Sequence, residues 1–132
     1  FISAESYSIM SPEISKMIVQ APYFNDFYTY ILFKTKEDDL FLVFKQSTFC
    51  YYVPRGFISQ HNPKMIDIYL SPSPQSARDK LIELGVKYIY TPNYYTLATI
   101  TNTPIKQILE NTELSRLVLT NKNYYIHRLI PP

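Results

Sequence analysis

The chain has 132 residues, of which 46% are hydrophobic and 18% charged, a composition typical of a folded globular protein with one domain. A formal net charge of +2, with no cluster of five or more basic residues, argues against a protein that binds nucleic acid. A single cysteine excludes an internal disulfide, and two glycines are too few for the glycine-rich loops that bind nucleotide phosphates.

The N-terminal part of the chain predicts two helices. Residues 1–10 show no sustained period and are expected to form coil or an edge strand. Ser11 and Pro12 have the order of a helix start, and Pro22 is expected to end this first helix. A second helix is predicted over residues 24–36, because apolar residues recur there on one helical face.

An acidic turn and a buried strand follow. Glu37, Asp38 and Asp39 are interpreted as a solvated loop and not as a metal site, because adjacent carboxylates point in different directions. The uninterrupted apolar run 40–44 predicts the central strand of a parallel sheet, buried on both faces. Residues 48–53 are predicted to form an edge strand or a short irregular segment.

The next segment predicts a strand, a helix and a second strand. Residues 65–70 are an apolar run that predicts a strand, in which Asp67 would lie on an exposed face or at an edge. Ser73 is a good helix N-cap, and Gly85 supplies the positive φ that ends a helix. Residues 86–90 are β-branched and aromatic, so the whole segment predicts one right-handed βαβ unit with parallel strands.

The C-terminal part predicts one more helix and a hairpin. Thr103 and Pro104 begin the helix, and residues 117–119 and 124–130 are two strands joined by a short polar turn. Together the elements predict an α/β protein, a Rossmann-like three-layer sandwich whose mostly parallel sheet is extended by a C-terminal antiparallel hairpin, with helices on both faces. We expect a single domain over residues 1–132.

No group of residues in the sequence predicts catalysis. The available bases are His61, in a polar loop, and His127, in a strand, and neither has the spacing of a metal site. Cys50 lies between aromatic residues with no adjacent positive charge, which predicts an inert thiol. Arg55 follows the predicted central strand and could reach the crevice where open α/β sheets bind anions, with a surface or ion-pair role as the alternative. We therefore predict no catalytic residue, no metal and no cofactor.

Four phrases of the sequence carry a resemblance to a known family. They are EDDLFLVF before and in the buried strand, YYVPRG at a turn, LxxLGVKYIY from helix to strand, and the closing hairpin RLVLTNKNYYIHRL. Over residues 25–130 the chain resembles the extracytoplasmic domain that follows the membrane helices in polyprenyl-phosphate-sugar-dependent glycosyltransferases. These enzymes belong to the glycosyltransferase C superfamily and are related to dolichyl-phosphate-mannose mannosyltransferases. The absence of tryptophan argues against the branch that transfers oligosaccharides.

The resemblance implies that this chain is part of a larger membrane enzyme. Phe1 would follow the last membrane helix, and the parent would transfer a sugar from a lipid-phosphate donor on the extracytoplasmic side of the membrane. In such families the catalytic acid lies in a loop between membrane helices, so this domain is expected to be non-catalytic. Its expected partners are the membrane portion of the parent enzyme and a sugar or lipid-phosphate acceptor or donor, with no nucleic acid. Its expected role is to cap the membrane active site and help position the acceptor.

Five residues are the candidates for substrate binding under this resemblance. Aromatic faces stack on sugar rings, and an arginine fork grips phosphate. The candidates are Tyr51, Tyr52, Arg55, Tyr94 and Tyr95.

Two other functions remain open from the sequence. One is a free-standing Rossmann-like module that binds a small ligand or a protein without catalysis. The other is a small hydrolase that uses His61. Many apolar segments upstream of Phe1 in the gene would favour the membrane enzyme, and a methionine a few residues upstream would favour the free module.

Overall fold

The computed structural model describes four stretches of the chain, with side chains described from residue 26 onward; the stretches are 22–44, 54–92, 103–120 and 124–132. The chain divides into two compact units. The first contains Phe1–Glu37 and Ser47–Arg55, and the second contains Asp38–Gln46 and Gly56–Pro132. The single domain over residues 1–132 stays a prediction.

Several predicted features fall outside the described residues. They are the initial coil or edge strand 1–10, the helix that begins at Ser11, the run 48–53, Cys50 and the turn of the C-terminal hairpin.

The first unit contains helix α1, Pro22–Lys34, which confirms the predicted second helix with a shift of two residues at each end. Pro22, which we expected to end the preceding helix, is instead the first residue of α1. This position suits proline, because the first N–H groups of a helix have no partner within the helix. The side chains of Phe27, Tyr28 and Ile31 are buried, as one apolar helical face predicts.

The second unit contains a mixed sheet. Its described strands are β1 Leu40–Val43, β2 Gly56–Ser59, β3 Val86–Pro92, β4 Ser115–Thr120 and β5 Tyr124–Leu129. Within the described ranges they form one five-stranded sheet in the order β2-β1-β3-β5-β4. Strands β1, β2 and β3 are parallel, whereas β5 is antiparallel to both β3 and β4. The predicted α/β class and the C-terminal antiparallel hairpin are confirmed at this level.

The centre of the sheet is β3 and not β1, so the predicted central position of the run 40–44 is wrong. Strand β3 has seven residues, of which six are buried, whereas β1 has four residues, of which three are buried. The longer buried strand can bond neighbours along both edges over more of its length. The outermost strand on the hairpin side is β4, whose register with β5 shifts between Leu117 and Leu119.

The predicted strand over residues 65–70 is also wrong, because this run is helical. A short 3-10 turn, Pro63–Met65, leads into α2, Ile66–Tyr69. Asn62 Oδ1 accepts the N–H of Lys64 at 2.9 Å and so caps the turn. Burial follows the helical period, since Met65 and Ile68 are buried whereas Ile66 and Leu70 are exposed. A short apolar run does not by itself distinguish a strand from a helix.

The parallel strand before the next helix is therefore β2, at residues 56–59. The helical segment joins β2 to β3, and β1 lies between these two strands in the sheet. Asp67 lies exposed in α2 and not in a strand.

Helix α3, Pro74–Glu83, confirms the predicted start and end signals. Ser73 Oγ accepts the N–H of Ser76 at 3.1 Å, and Pro74 is the first helical residue. The chain then turns into β3 through Gly85, whose φ is +94°. Because α3 packs on β3 and only two residues join them, the helix runs back along the strand. The N-terminus of α3 therefore lies toward the carboxyl end of β3.

Helix α4, Pro104–Glu110, confirms the predicted C-terminal helix and has three buried apolar residues. One apolar cluster joins α2, α3 and α4 to one face of the sheet; its fully or nearly buried members are Leu42, Phe44, Met65, Ile68, Ala77, Leu81, Val86, Ile89, Ile105, Ile108, Leu109, Leu114 and Leu129. The opposite face of β1 and β3 carries aromatic side chains. The rings of Phe41 and Tyr88 stack there with their centroids 4.9 Å apart. Both of these rings are buried. No helix in the described stretches has the length and apolarity needed to cross a bilayer.

Replacing Gly85 with alanine is expected to lower the free energy of unfolding by about 1–2 kcal/mol, because a residue with a Cβ is strained at positive φ. The nearest atom to an added Cβ is Leu40 Cδ2 at 4.0 Å, so a clash does not contribute. Gly85→Asn is expected to lower the free energy of unfolding by less, since asparagine tolerates the left-handed backbone conformation. Urea unfolding of the three proteins measures this order. Equal stability of wild type and Gly85→Ala would contradict it.

Candidate functional site

Only one of the five predicted substrate-binding residues lies in the described part of the chain. That residue is Arg55. Tyr51, Tyr52, Tyr94 and Tyr95 lie outside the described residues, so their roles stay predictions.

Arg55 binds the end of helix α1. Its Nη2 donates to the carbonyl oxygens of Ile31 at 3.1 Å and Thr35 at 3.2 Å, and its Nε donates to Thr35 Oγ1 at 3.0 Å. Its Nη1 donates to the carbonyl of Pro54 at 2.6 Å. These bonds satisfy carbonyls that the helix itself leaves without partners, and the positive charge suits the negative end of the helix dipole.

This arrangement leaves little of Arg55 for a ligand. A guanidinium has five N–H donors, and the four bonds described use one each. Bidentate binding of a phosphate would therefore require Arg55 to break some of its hydrogen bonds to the end of α1. Arg55 also directly precedes β2 in the chain, whereas open α/β sheets bind ligands outside the carboxyl ends of their strands. The substrate-binding role of Arg55 stays a prediction.

The Arg55 charge also acts on Tyr28 of α1. Burial raises the pKa of the Tyr28 hydroxyl above its usual value, and the nearby positive charge of Arg55 partly offsets this rise. The Tyr28 hydroxyl is therefore neutral at physiological pH.

The acidic turn is only partly the solvated loop that we expected. Glu37 and Asp38 are exposed, but Asp39 is buried, and Lys87 Nζ lies 2.9 Å from Asp39 Oδ1. The hydrogen bond and the charge of Asp39 raise the pKa of Lys87. Because Leu40 pairs with Val86, this ion pair lies at the amino ends of β1 and β3. It joins two parallel strands at the end of the sheet where ligand sites are uncommon.

Neither histidine has the surroundings of a catalytic base. His61 is exposed in a turn, where its N–H donates to Ser59 Oγ at 3.2 Å. His127 lies in β5 between Ile89 of β3 and Leu117 of β4. Burial lowers the pKa of His127 to about 4, and its Nδ1 is buried with no hydrogen-bond partner among the described residues. His127 is therefore a neutral strand residue at physiological pH. Across the described stretches, no three His, Cys, Asp or Glu side chains come together to hold a metal ion.

Sequence reasoning missed the buried charge of Arg78 in α3. Its Nη1 donates to the carbonyl of Ile130 at 2.7 Å, and its Nε donates to Asp79 Oδ1 at 2.6 Å. The bond to Ile130 joins α3 to the chain directly after β5. The helical period places Arg78 beside Ala77 at the edge of the buried face, but the carbonyl it reaches lies 52 residues away.

A polar cleft lies at the other end of α3. It has a volume of about 290 Å³, and its lining residues are Tyr69, Ser71, Pro72, Ser73, Thr103, Pro104 and Gln107. The N-termini of α3 and α4 both border it. Because α3 runs back along β3, the polar cleft lies toward the carboxyl end of the parallel strands, where ligand sites in open α/β sheets are found.

A second, charged groove lies between α2 and α3. Its volume is about 380 Å³, and its lining residues are Lys64, Asp67, Ile68, Lys80, Glu83 and Leu84. The charges of two positive and two negative side chains balance there. Lys80 Nζ also donates to the carbonyl of Asp67 at 3.3 Å. The polar cleft is the better candidate, because uncharged polar groups converge in it at the carboxyl end of the strands. Sequence reasoning treated Ser73 and Thr103 only as helix caps and so missed it.

The chain matches no protein-family model, and no curated protein sequence matches it either.

Arg55→Ala is expected to lower the free energy of unfolding of the first unit by about 2 kcal/mol, because it removes charged hydrogen bonds to part-buried carbonyls at the end of α1. Backbone hydrogen exchange at the last turn of α1 should accelerate correspondingly. Arg116→Ala, which removes an exposed arginine of β4, is the matched control and should change neither quantity. Equal effects of the two substitutions would contradict a capping role for Arg55.

The burial of His127 predicts a loss of stability in mild acid. The unfolded chain binds a proton at His127 near pH 6.5, whereas the folded chain binds it only near pH 4. Stability from this group is therefore complete above pH 6.5 and falls, by on the order of 2 kcal/mol, as the pH drops to about 4.

Urea unfolding of wild type and His127→Leu between pH 7 and pH 4 measures this effect. The difference between the two proteins should depend on pH, while His61→Gln, which changes an exposed histidine, should follow wild type. Parallel curves for wild type and His127→Leu would show that the burial of His127 has no such consequence.

Proposed function

We propose that this chain is the non-catalytic extracytoplasmic domain of a membrane glycosyltransferase that uses a polyprenyl-phosphate sugar donor. In this role it caps the active site of the membrane portion and helps to position the acceptor. The membrane helices and the catalytic acid belong to the rest of the parent enzyme.

The observation that carries the proposal is the way in which the resembling phrases are arranged. EDDLFLVF supplies β1, LxxLGVKYIY supplies the end of α3 and most of β3, and RLVLTNKNYYIHRL supplies nearly all of β4 and the whole of β5. The described residues of YYVPRG lead directly into β2. The phrases therefore supply four of the five described strands of one sheet and lead into the fifth, as expected if they derive from a single domain type and not from unrelated chance similarities.

The position of the polar cleft also supports the proposal. Strand β3 ends at Pro92, and Tyr94 and Tyr95 follow within three residues along the chain. The chain returns at Thr103, which lines the cleft. Along the chain, the segment with the two predicted sugar-stacking tyrosines therefore begins at the end of β3, after Pro92, and ends at Thr103 in the cleft.

We also propose that the sheet is the middle layer of a three-layer sandwich of the Rossmann type. One face of the sheet packs against α2, α3 and α4. On the other face Phe41, Tyr88 and Tyr90 are buried as well. Burial of both faces is what the middle layer of such a sandwich requires.

A free-standing module that binds a small ligand is the second candidate, and the polar cleft itself favours it. The cleft is formed within the second unit, so ligand binding there would need no membrane partner. The open reading frame upstream of Phe1 separates the two candidates. About ten apolar segments of roughly 20 residues support the membrane enzyme, and none supports the free module.

Tyr94→Ala and Tyr95→Ala in the full-length enzyme are expected to lower kcat/KM for the acceptor about tenfold each, because an aromatic face that stacks on a sugar contributes about 1.4 kcal/mol. Tyr125→Ala, in an exposed tyrosine of β5, is the matched control and should retain wild-type transfer. Immunoblots of membrane fractions confirm equal protein levels. Wild-type transfer by both loop variants would exclude a role of these tyrosines in acceptor positioning.

A further inference from the structure

We propose that the polar cleft is a binding site for a neutral carbohydrate, with Ser71, Ser73 and Gln107 as the hydrogen-bonding groups. The inference rests on the proposed function for the choice of sugars among neutral polyhydroxyl compounds. The chemistry of the cleft itself does not depend on that function.

The lining of the cleft selects an uncharged ligand. None of its seven residues carries a charge. The N-terminus of α3 offers few free donors to an anion, because Pro74 lacks an N–H and Ser73 Oγ already binds the N–H of Ser76. A phosphate or carboxylate would therefore find no cation among the lining residues and few backbone donors at the start of α3.

The hydroxyl groups of Ser71 and Ser73 have complementary hydrogen-bonding capacity left for a ligand. Ser71 Oγ donates its proton to the carbonyl of Asp67 at 3.0 Å, so its lone pairs are left to accept. Ser73 Oγ accepts from Ser76, so its proton is left to donate. The exposed amide of Gln107 can do both. Neighbouring hydroxyls of a sugar each act as donor and acceptor, and they need this mixture.

Tyr69 is a fixed part of the cleft wall. Its hydroxyl donates to the carbonyl of Gln60 at 2.7 Å, and the half-buried side chain packs against the apolar cluster. The ring is therefore held in one orientation while it lines the cleft. The exposed lining of the cleft is almost wholly polar, so it matches the hydroxyl edge of a sugar and not its C–H face.

The size of the cleft fits a small ligand. A volume of about 290 Å³ is at the lower end of the range for small-molecule sites, which is about 300–1,000 Å³. This space suits one or two sugar rings. A shallow, polar site of this kind predicts millimolar affinity, because each hydrogen bond to the sugar replaces one to water.

The test is a titration of the isotope-labelled 132-residue chain followed by backbone NMR. The probes are methyl α-mannopyranoside, methyl β-glucopyranoside and N-acetylglucosamine, with inorganic phosphate as the anionic comparison. At least one sugar should give saturable shifts at the amides of Ser71, Ser73 and Gln107 at millimolar concentration, and phosphate should not.

Gln107→Ala is expected to weaken the binding of that sugar about tenfold, through loss of its bonds to the sugar. The matched control is Gln75→Ala, which changes an exposed glutamine of α3 that does not line the cleft, and it should bind as wild type does. Unchanged amide shifts in β3 show that both variants fold. Absence of saturable shifts, shifts only outside the cleft, phosphate binding in place of sugar, or equal affinity of the two variants would each overturn the inference.

These outcomes are separate from those that test the proposed function. Sugar binding by a chain whose gene encodes no membrane segments would retain the cleft and exclude the membrane enzyme. A membrane parent that requires Tyr94 and Tyr95 for transfer, with no sugar bound in the cleft, would retain the proposed function and exclude the cleft.

Discussion

Strand β3 must find partners for its backbone groups along both edges, because its side chains are buried at six of seven positions. It finds them in β1, which runs parallel on one side, and in β5, which runs antiparallel on the other. The N-terminal part of the second unit is thereby joined to the C-terminal hairpin. A loss of β3 would leave two separate pairs of strands, each with an unpaired edge.

The direction of β3 also decides where a ligand can bind. The two-residue turn at Gly85 sends α3 back along the strand, so the helix begins where the strand ends. The same end holds the start of α4. The Asp39 to Lys87 ion pair lies at the opposite end, as does the bond from Arg78 to Ile130. The two ends of the parallel strands thus differ in chemistry. Charged side chains with bonded partners lie at the amino end, and neutral polar groups lie at the carboxyl end.

Local signals were sufficient to predict α3, α4 and the strand that follows Gly85. Ser73, Pro74 and Gly85 mark their element within a few residues, so no distant contact is needed to interpret them. The strand prediction for residues 65–70 was wrong because a six-residue run with five apolar residues fits a strand and a helix equally well, and the cap at Asn62 decides between them. The burial of Asp39 depends on Lys87, which lies too far along the chain for a pattern to reveal. The polar cleft was missed for the same reason, since residues 69–73 and 103–107 lie far apart in the chain and meet only in the folded protein.

Strand β4 is the outermost strand on its side of the sheet in the described part of the chain, and its sequence SRLVLT is rich in β-branched and aliphatic residues. Such an edge is a template on which a strand from another molecule can add, which is the first step toward aggregation. The register shift between Leu117 and Leu119 interrupts the regular spacing of N–H and C=O groups along this edge. A second molecule would therefore have to reproduce the same irregularity in order to pair along the whole strand. The bulge acts as a barrier to edge-to-edge association, while β4 stays paired with β5 on both sides of it.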